Sequence, residues 1–180
     1  YVDKNTSTKN KNTFLQSYDQ RKGIELIGAK KVGNDVVIDI YSQDGRKVGQ
    51  QTISPDGTKK FTRGMNKKGA SALIGDINGD KLFHTEGFAT AVSVHQSTGE
   101  AVVFALDAGN IPEVTMHYRY KYPEKTHIVA ADNDPDGIKA AEKSKLSYAL
   151  PPKNGQDWND VFQEQGSVET KQLLETLILP

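Results

Sequence analysis

Between residues 81 and 178 the sequence alternates between short apolar runs of strand length and segments with helical periodicity. Strands are predicted at 81–85, 101–105, 127–131 and 148–150, and helices at 88–97, 111–118, 136–146, 157–165 and 168–178. Alternation at these lengths predicts an α/β fold in which a parallel sheet is flanked by helices. Ligands of such sheets bind at the carboxyl ends of the strands, so we expect the functional side chains at that edge.

The segment before residue 79 has a different pattern, because its β-branched residues repeat with a period of two. Strands are predicted there at 36–41, 47–53 and 59–62, with a further short strand at 70–74 and a short helix at 14–22. The predicted organisation is a flexible lead-in over 1–13, a basic antiparallel β-rich lobe over 14–78, and an α/β domain with C-terminal helices over 79–180.

The net charge of zero hides two halves of opposite charge. Residues 1–78 contain 14 Lys and Arg against 8 Asp and Glu, and residues 79–180 contain 9 against 15, so the halves carry +6 and −6. A phosphate-binding surface beside a surface that concentrates divalent cations is one interpretation, and ordinary solvated surface is the other. The candidate phosphate-binding residues of the basic lobe are Lys59, Lys60, Arg63, Lys67 and Lys68.

The sequence contains no cysteine, which excludes disulfides, thiolate zinc sites, iron–sulfur clusters and a cysteine nucleophile. Hard cations such as Mg²⁺ are then the natural metal candidates. No apolar run approaches the roughly 20 residues that cross a bilayer, and residues 1–13 lack the apolar centre of a signal peptide. We therefore expect a cytoplasmic protein without membrane association. The missing initiator Met predicts that the sequence is part of a longer polypeptide.

Three groups of acidic residues fall where a predicted strand ends or a predicted helix begins. Glu86 follows the first strand of the α/β domain, Asp132 and Asp134 follow the third, and Asp157 opens the first closing helix. In extended backbone Asp132 and Asp134 would share one face about 6 to 7 Å apart, close enough to bridge cations. Turns and helix caps are the plain explanation of each group, and Asp136 is predicted to cap the following helix. Carboxylates gathered without matching bases repel one another, and a bound cation relieves that repulsion.

Other cation and phosphate motifs fit these residues less well. Asp132, Asp134 and Asp136 copy the opening of an EF-hand loop, but Lys143 stands at the twelfth position, where a bidentate Glu is needed. Phosphatases with an Asp nucleophile also have a strand followed by Asp-x-Asp, although Pro135 departs from their pattern. The sequence has no P-loop and no G-x-G-x-x-G fingerprint. Its four histidines lack metal-ligand spacing and are interpreted as packing or surface residues.

The sequence blocks around these acidic residues resemble the Toprim family, a metal-dependent catalytic domain of bacterial-type primases, topoisomerases and some nucleases. The blocks are Glu86-Gly87-Phe88-Ala89-Thr90-Ala91, residues 103–110, Ala130-Ala131-Asp132-Asn133-Asp134, and residues 155–160. Phe88 stands where a tyrosine is usual, so the ring is kept without its hydroxyl. The resemblance covers about residues 81–166 and is strongest to primases of conjugative plasmids and phage primase-helicases.

The resemblance implies a Toprim-like parallel sheet preceded by a small antiparallel β lobe. It implies Glu86 as the general acid/base, Asp132 and Asp134 as ligands of Mg²⁺ or Mn²⁺, and Asp157 as a further ligand. The implied activity is DNA primase-type nucleotidyl transfer, in which nucleoside triphosphates are joined into a primer on single-stranded DNA. The implied setting is a plasmid or phage replication or conjugation protein with a fused or associated helicase or relaxase.

Two other functions stay open at this point. The first is a Toprim nuclease that uses Glu86 and the same metals to cleave phosphodiesters. The second is a non-catalytic DNA-binding module fused to a helicase or relaxase. Primer synthesis, metal-dependent strand cleavage and salt-sensitive binding without either product distinguish the three functions.

Overall fold

A computed structural model of the chain describes residues 16–180 and contains two β-sheets and five α-helices in that range. The lead-in predicted at 1–13 and the first residues of the helix predicted at 14–22 lie outside the described residues. The helices are α1 (Tyr18–Lys22), α2 (Phe88–Thr98), α3 (Ile111–Lys121), α4 (Pro135–Ser144) and α5 (Trp158–Thr176). The strands are β1 (Lys30–Val32), β2 (Asp35–Tyr41), β3 (Lys47–Ile53), β4 (Lys59–Phe61), β5 (Ala72–Ile74), β6 (Lys81–Thr85), β7 (Ala101–Phe104), β8 (Thr126–Ala130), β9 (Ser147–Ala149) and β10 (Ile178–Leu179).

The first sheet is an antiparallel meander in the order β1-β2-β3-β4, and it confirms the period of two in the sequence. Val36, Ile38 and Ile40 of β2 have no exposed surface and point into the core. Side chains of this size contribute about 1.5 to 3 kcal/mol each when they leave water. A register shift between Ile40 and Tyr41 pairs Tyr41 with Lys47 of β3, and on its other side Tyr41 forms an isolated antiparallel bridge with Ser71.

The second sheet has the order β10-β9-β8-β6-β7-β5, and its four central strands are parallel. The antiparallel strands β5 and β10 form its two edges. Because β5 pairs with β7, residues 72–74 belong to this sheet, although the sequence places them in the first lobe. The boundary predicted between residues 78 and 79 stays a prediction.

The parallel strands alternate their side chains between two apolar cores. Phe83 and Val102 belong to the core that contains residues of α2, α5 and the antiparallel sheet. Leu82 and Val103 belong to the second core, which contains residues of α3 and α4. The expected α/β fold with helices flanking a parallel sheet is confirmed, and the antiparallel lobe shares the first of its cores.

Helices α2 and α5 pack against each other. Residues 88–94 of α2 are all buried, so this helix has no exposed face over its first two turns, because α5 packs over it. The element α5 consists of two helical segments separated at Gly166, whose φ of 83° and ψ of 175° are not helical, and this confirms the two closing helices predicted from the sequence. The short strands β1 and β10 have no counterpart in the prediction.

Between residues 16 and 180, no helix has both the length and the apolar character required to cross a membrane.

Candidate metal and catalytic site

Three distant segments meet at the carboxyl edge of the parallel sheet. Strands β6 and β8 are parallel neighbours, so Glu86, one residue after β6, and Asp132, two residues after β8, leave the sheet at the same edge. Asp157 precedes α5 and is brought to this edge by the loop that follows β9. The charges of Glu86, Asp157 and Asp134 all act on the carboxyl of Asp132, which supports the predicted convergence of these acidic groups.

Asn133 fixes the loop that carries Asp157 against the loop that carries Asp132. Its backbone N–H donates to the carbonyl of Gln156 over 2.9 Å, and its side-chain amide donates to the carbonyl of Pro151 over 2.8 Å. The fully buried Trp158 anchors the start of α5 in the core. Asp132 and Asp157 are therefore held together by backbone contacts that need no metal.

Two of the predicted metal ligands also cap helices. Oδ1 of Asp134 accepts a hydrogen bond from the backbone N–H of Gly137 over 2.7 Å, so Asp134 is the N-cap of α4. The prediction that Asp136 caps this helix is wrong, because Pro135 occupies the first helical position and places Asp136 inside the first turn. Oδ1 of Asp157 accepts from the backbone N–H of Asp160 over 2.8 Å, which completes a capping box.

Asp132 is the least favourably placed carboxylate of the site. Burial raises its pKa, and the neighbouring charges of Glu86, Asp157 and Asp134 add to the effect, so that the pKa reaches about 7. Its Oδ1 is buried and has no hydrogen-bond partner among residues 16–180. A buried carboxylate oxygen without a donor is costly, and a cation is the ligand that satisfies it.

Glu86 lies between acidic and basic groups. Burial raises its pKa, Lys59 opposes this effect, and the charges of Asp134 and Asp107 add to it. Lys59 reaches the turn after Glu86, because a Cβ placed on Gly87 would lie 3.6 Å from the Lys59 Nζ. A lysine of the antiparallel lobe therefore borders the acidic edge of the parallel sheet.

The chemistry of these residues fits a hard divalent cation. All the candidate ligands are carboxylates, and the orphaned oxygen of Asp132 lies where they converge. Among residues 16–180, however, no three Asp, Glu or His side chains are already arranged as a metal-binding group. Asp134 and Asp157 each direct one oxygen to a backbone N–H, and their second oxygens lie outside these caps.

Gly137 allows the backbone of the acidic loop to approach α4 closely. A Cβ at this position would lie 2.4 Å from the carbonyl oxygen of Asp132, a contact that backbone atoms cannot relieve without moving. The small residue is therefore required by the packing of the loop that positions Asp132.

Asp107 borders the site and was not among the predicted site residues. Its Oδ2 lies 3.2 Å from the Nζ of Lys67, and its Oδ1 accepts from the backbone N–H of Asn110 over 3.0 Å. The preceding Leu106 is buried and has a φ of 75°, a left-handed conformation that is costly for leucine. Position after a strand end was the available sequence signal for Asp107, as it was for Glu86.

Asn110 joins the two parts of the chain beneath this ion pair. Its side-chain amide donates to the carbonyls of Lys67, Ala70 and Ala105 over 2.8 to 2.9 Å, and its Oδ1 accepts from the N–H of Gly69 over 2.8 Å. The basic loop that contains Lys67 is thereby fixed to the end of β7.

The structure separates the predicted phosphate-binding residues into three groups. Lys59 and Lys67 lie beside the acidic edge, where they interact with Glu86 and Asp107. Lys60 and Arg63 are exposed on β4 and the loop after it. Lys68 lines a groove beside α3.

A buried histidine pair connects β6 to β8 within the sheet. Nε2 of His127 donates to the carbonyl of Tyr122 over 2.9 Å, so its Nδ1 accepts from Nε2 of His84 over 3.0 Å. Burial lowers the pKa of His84 to about 3, with a further contribution from His127. The interpretation of these two residues as packing histidines agrees with their position.

Comparison with known proteins agrees with this geometry. The sequence pattern of the Toprim domain matches residues 81–168. The chain is 32% identical over 124 residues to a DNA primase TraC of Escherichia coli, a match that covers 65% of this chain and 12% of that protein. A second Escherichia coli DNA primase TraC matches at the same identity over 9% of its length, so the chain spans only a small part of these relatives.

Solved structures share the fold at lower identity. The primase fragment of the bacteriophage T7 primase-helicase protein has a TM-score of 0.67 and 21% identity, covering 94% of this chain and 82% of that one. The RNA polymerase domain of Mycobacterium tuberculosis primase DnaG has a TM-score of 0.58 and 19% identity, covering 87% of this chain and 64% of that one. Both similarities extend well beyond residues 81–168 and therefore include the antiparallel lobe.

Proposed function

Since residues 81–168 of this chain form a Toprim domain, we propose that the chain is the catalytic primase module of a plasmid or phage replication or conjugation protein. The reaction is nucleotidyl transfer on a single-stranded DNA template, in which a 3′-hydroxyl loses its proton to a base and attacks the α-phosphate of a nucleoside triphosphate. The bond between the α- and β-phosphates breaks, and pyrophosphate leaves. The names of the two E. coli relatives and the fold shared with primase fragments support this proposal.

Asp132, Asp134 and Asp157 are the proposed ligands of Mg²⁺ or Mn²⁺. When bound, the cation lowers the pKa of the attacking hydroxyl and neutralises charge on the phosphoryl oxygens. Asp134 and Asp157 keep one carboxylate oxygen each for this purpose, because their helix caps occupy only the other. The observation that carries the proposal is the unpartnered, buried Oδ1 of Asp132 at the point where the acidic groups converge.

Glu86 is the proposed general acid/base. Burial raises its pKa, which makes it a stronger base than an ordinary glutamate. Lys59 borders it and is suited to hold a phosphate of the nucleotide or of the template near the reacting atoms. The exposed cations Lys60, Arg63 and Lys68, with Lys67, supply contacts to the template backbone that are independent of sequence and weaken with salt.

The test is incorporation of labelled ribonucleotides or deoxyribonucleotides on single-stranded DNA with Mg²⁺ or Mn²⁺. Glu86→Gln should lower incorporation by about 10² to 10⁴-fold, since it removes the proton acceptor, while DNA binding stays close to that of the wild type. Incorporation by Glu86→Gln at the wild-type rate would refute the role of this residue. Metal-dependent loss of a labelled strand without incorporation would instead identify a nuclease, and DNA binding without either product a binding module.

The setting of this module is also a proposal. The matched relatives are far longer than this chain, and one structural relative is part of a primase-helicase protein. We expect a helicase or relaxase, fused or associated, to supply the single-stranded template, and a cytoplasmic location. Pull-down of the full-length reading frame, followed by assays for unwinding and nicking, tests this expectation.

A further inference from the structure

A second basic surface lies in a groove beside α3, with a volume of about 640 Å³. The groove also contacts the end of α4, and its charged lining consists of Lys68, Arg119, Lys143, Lys145 and the single acid Glu113. Residues 79–180 have only 9 Lys and Arg against 15 acids, yet three of those nine line this groove. Clustered cations in an otherwise acidic half indicate a polyanionic ligand.

The positive charge of the groove is not neutralised within the described chain. All four cationic side chains are exposed, and none belongs to the ion pairs found among residues 16–180. Glu113 accepts a hydrogen bond from the Gln43 side chain over 3.4 Å. The four cations are therefore available to an external anion.

Exposed apolar side chains accompany these cations. Met116 is 63% exposed and Tyr120 is 89% exposed, and their spacing of four residues places them on the same face of α3. Arg119 lies next to Tyr120 in the sequence. Cations mixed with an exposed aromatic ring are suited to a nucleic-acid strand, which offers phosphates to the former and bases to the latter.

The groove begins at the loop that borders the catalytic edge. Lys68 lines the groove, and its neighbour Lys67 pairs with Asp107 over 3.2 Å beside Glu86. We propose that the groove between α3 and α4 binds the phosphate backbone of the nucleic-acid strand that passes the carboxylates, with Tyr120 stacking on a base. This inference rests on the proposed function and extends the path of the strand beyond the antiparallel lobe.

Lys145 permits a test in which binding and stability move in opposite directions. It is the C-cap of α4 and has a φ of 56°, a left-handed conformation that glycine adopts at less cost than lysine. Lys145→Gly removes a cation and relieves this strain at the same time. Its thermal midpoint should be equal to or above that of the wild type, so a loss of binding cannot result from unfolding.

The experiment measures fluorescence anisotropy of a labelled strand of about 16 nucleotides, as single-stranded DNA and as an RNA–DNA hybrid, with the full chain. One contact to a single strand contributes about fivefold in affinity near 0.1 M salt, because one set of condensed counterions is released. Lys143→Gln and Lys145→Gly should each weaken binding about fivefold and reduce the salt dependence. Tyr120→Ser should weaken binding without changing the salt dependence. Lys171→Gln on α5 is the matched control and should bind like the wild type.

The outcomes separate this inference from the proposed function. If the groove variants lose more affinity for single-stranded DNA than for the hybrid, the bound strand is the template. If they lose more affinity for the hybrid, the bound strand is part of the product. The binding role of the groove is refuted if Lys143→Gln and Lys145→Gly bind like the wild type while Lys59→Gln binds more weakly. That result would leave the proposed function unaffected. Failure of the wild type to bind either nucleic acid overturns both.

Discussion

Replacing Asp132 by Asn should stabilise the metal-free protein. The pKa of this carboxyl rises from 3.8 to about 7 on folding, and each unit corresponds to about 1.4 kcal/mol. Above pH 7 the full shift would lower the free energy of unfolding by about 4 kcal/mol. Solvent screening of a half-buried group reduces this loss to about 2 kcal/mol. For a domain of this size, Asp132→Asn should raise the thermal midpoint by about 4 to 8 °C.

The pH dependence follows from the direction of the shift. The folded pKa of Asp132 lies above the unfolded value, so the unfolded state loses its proton first as the pH rises. The wild type therefore loses stability between about pH 4 and pH 7, whereas the Asn variant has no such proton to lose. The difference in stability between the two proteins should reach its full size near pH 8 and almost vanish near pH 4.

Thermal unfolding by circular dichroism with a metal chelator measures this difference, and Asp76→Asn provides a control at an exposed acid away from the site. Addition of Mg²⁺ should raise the midpoint of the wild type and leave that of Asp132→Asn unchanged, since a ligand of the folded state stabilises only the protein that binds it. A variant Asp132→Asn that is no more stable than the wild type near pH 8, or that keeps its advantage in stability near pH 4, would refute a raised pKa of Asp132.

Three further substitutions or conditions test the supports of the site. Gly137→Ala should lower the free energy of unfolding by about 1 to 3 kcal/mol and reduce nucleotide incorporation, because its Cβ would meet the carbonyl of Asp132. Chemical denaturation measures the change in stability, and an unchanged denaturation curve would contradict this prediction. In the same measurement, Asn110→Asp should lower the free energy of unfolding by about 2 to 4 kcal/mol, because a carboxylate cannot donate to the three carbonyls that the amide contacts. A variant as stable as the wild type would contradict this prediction. The folded pKa of His84 lies below its unfolded value, so protonation favours the unfolded state and stability should fall as the pH drops from about 6.5 toward 3. His84→Phe should flatten that slope, and a slope equal to that of the wild type would remove His84 as its cause.

The sequence predicts the strands of this fold well because their periodicity is local. The alternation along β2 and the apolar runs of β6 and β8 depend on neighbours within a few residues. Glu86 and Asp132 were predictable for the same reason, since a carboxylate directly after a buried strand is placed at the sheet edge by the strand itself.

Features that depend on distant contacts were not predictable in this way. Asn110 is fixed by partners about 40 residues earlier in the chain, and the complete burial of the first two turns of α2 depends on α5. The choice of Asp134 over Asp136 as the cap of α4 has a local cause instead, because Pro135 favours the first helical position and begins the helix one residue earlier than predicted. The left-handed conformation of Leu106 has no local signal, because leucine does not favour it.

The most direct test of the whole account is a calorimetric titration of Mg²⁺ or Mn²⁺ into the chain in the presence of a nucleoside triphosphate. The wild type with nucleotide should bind the cation more tightly than the nucleotide binds it without protein. Asp132→Asn should lose this additional binding of the cation. Equal uptake by the wild type and Asp132→Asn, or no uptake by either beyond that of the nucleotide, would contradict a metal site built from these carboxylates.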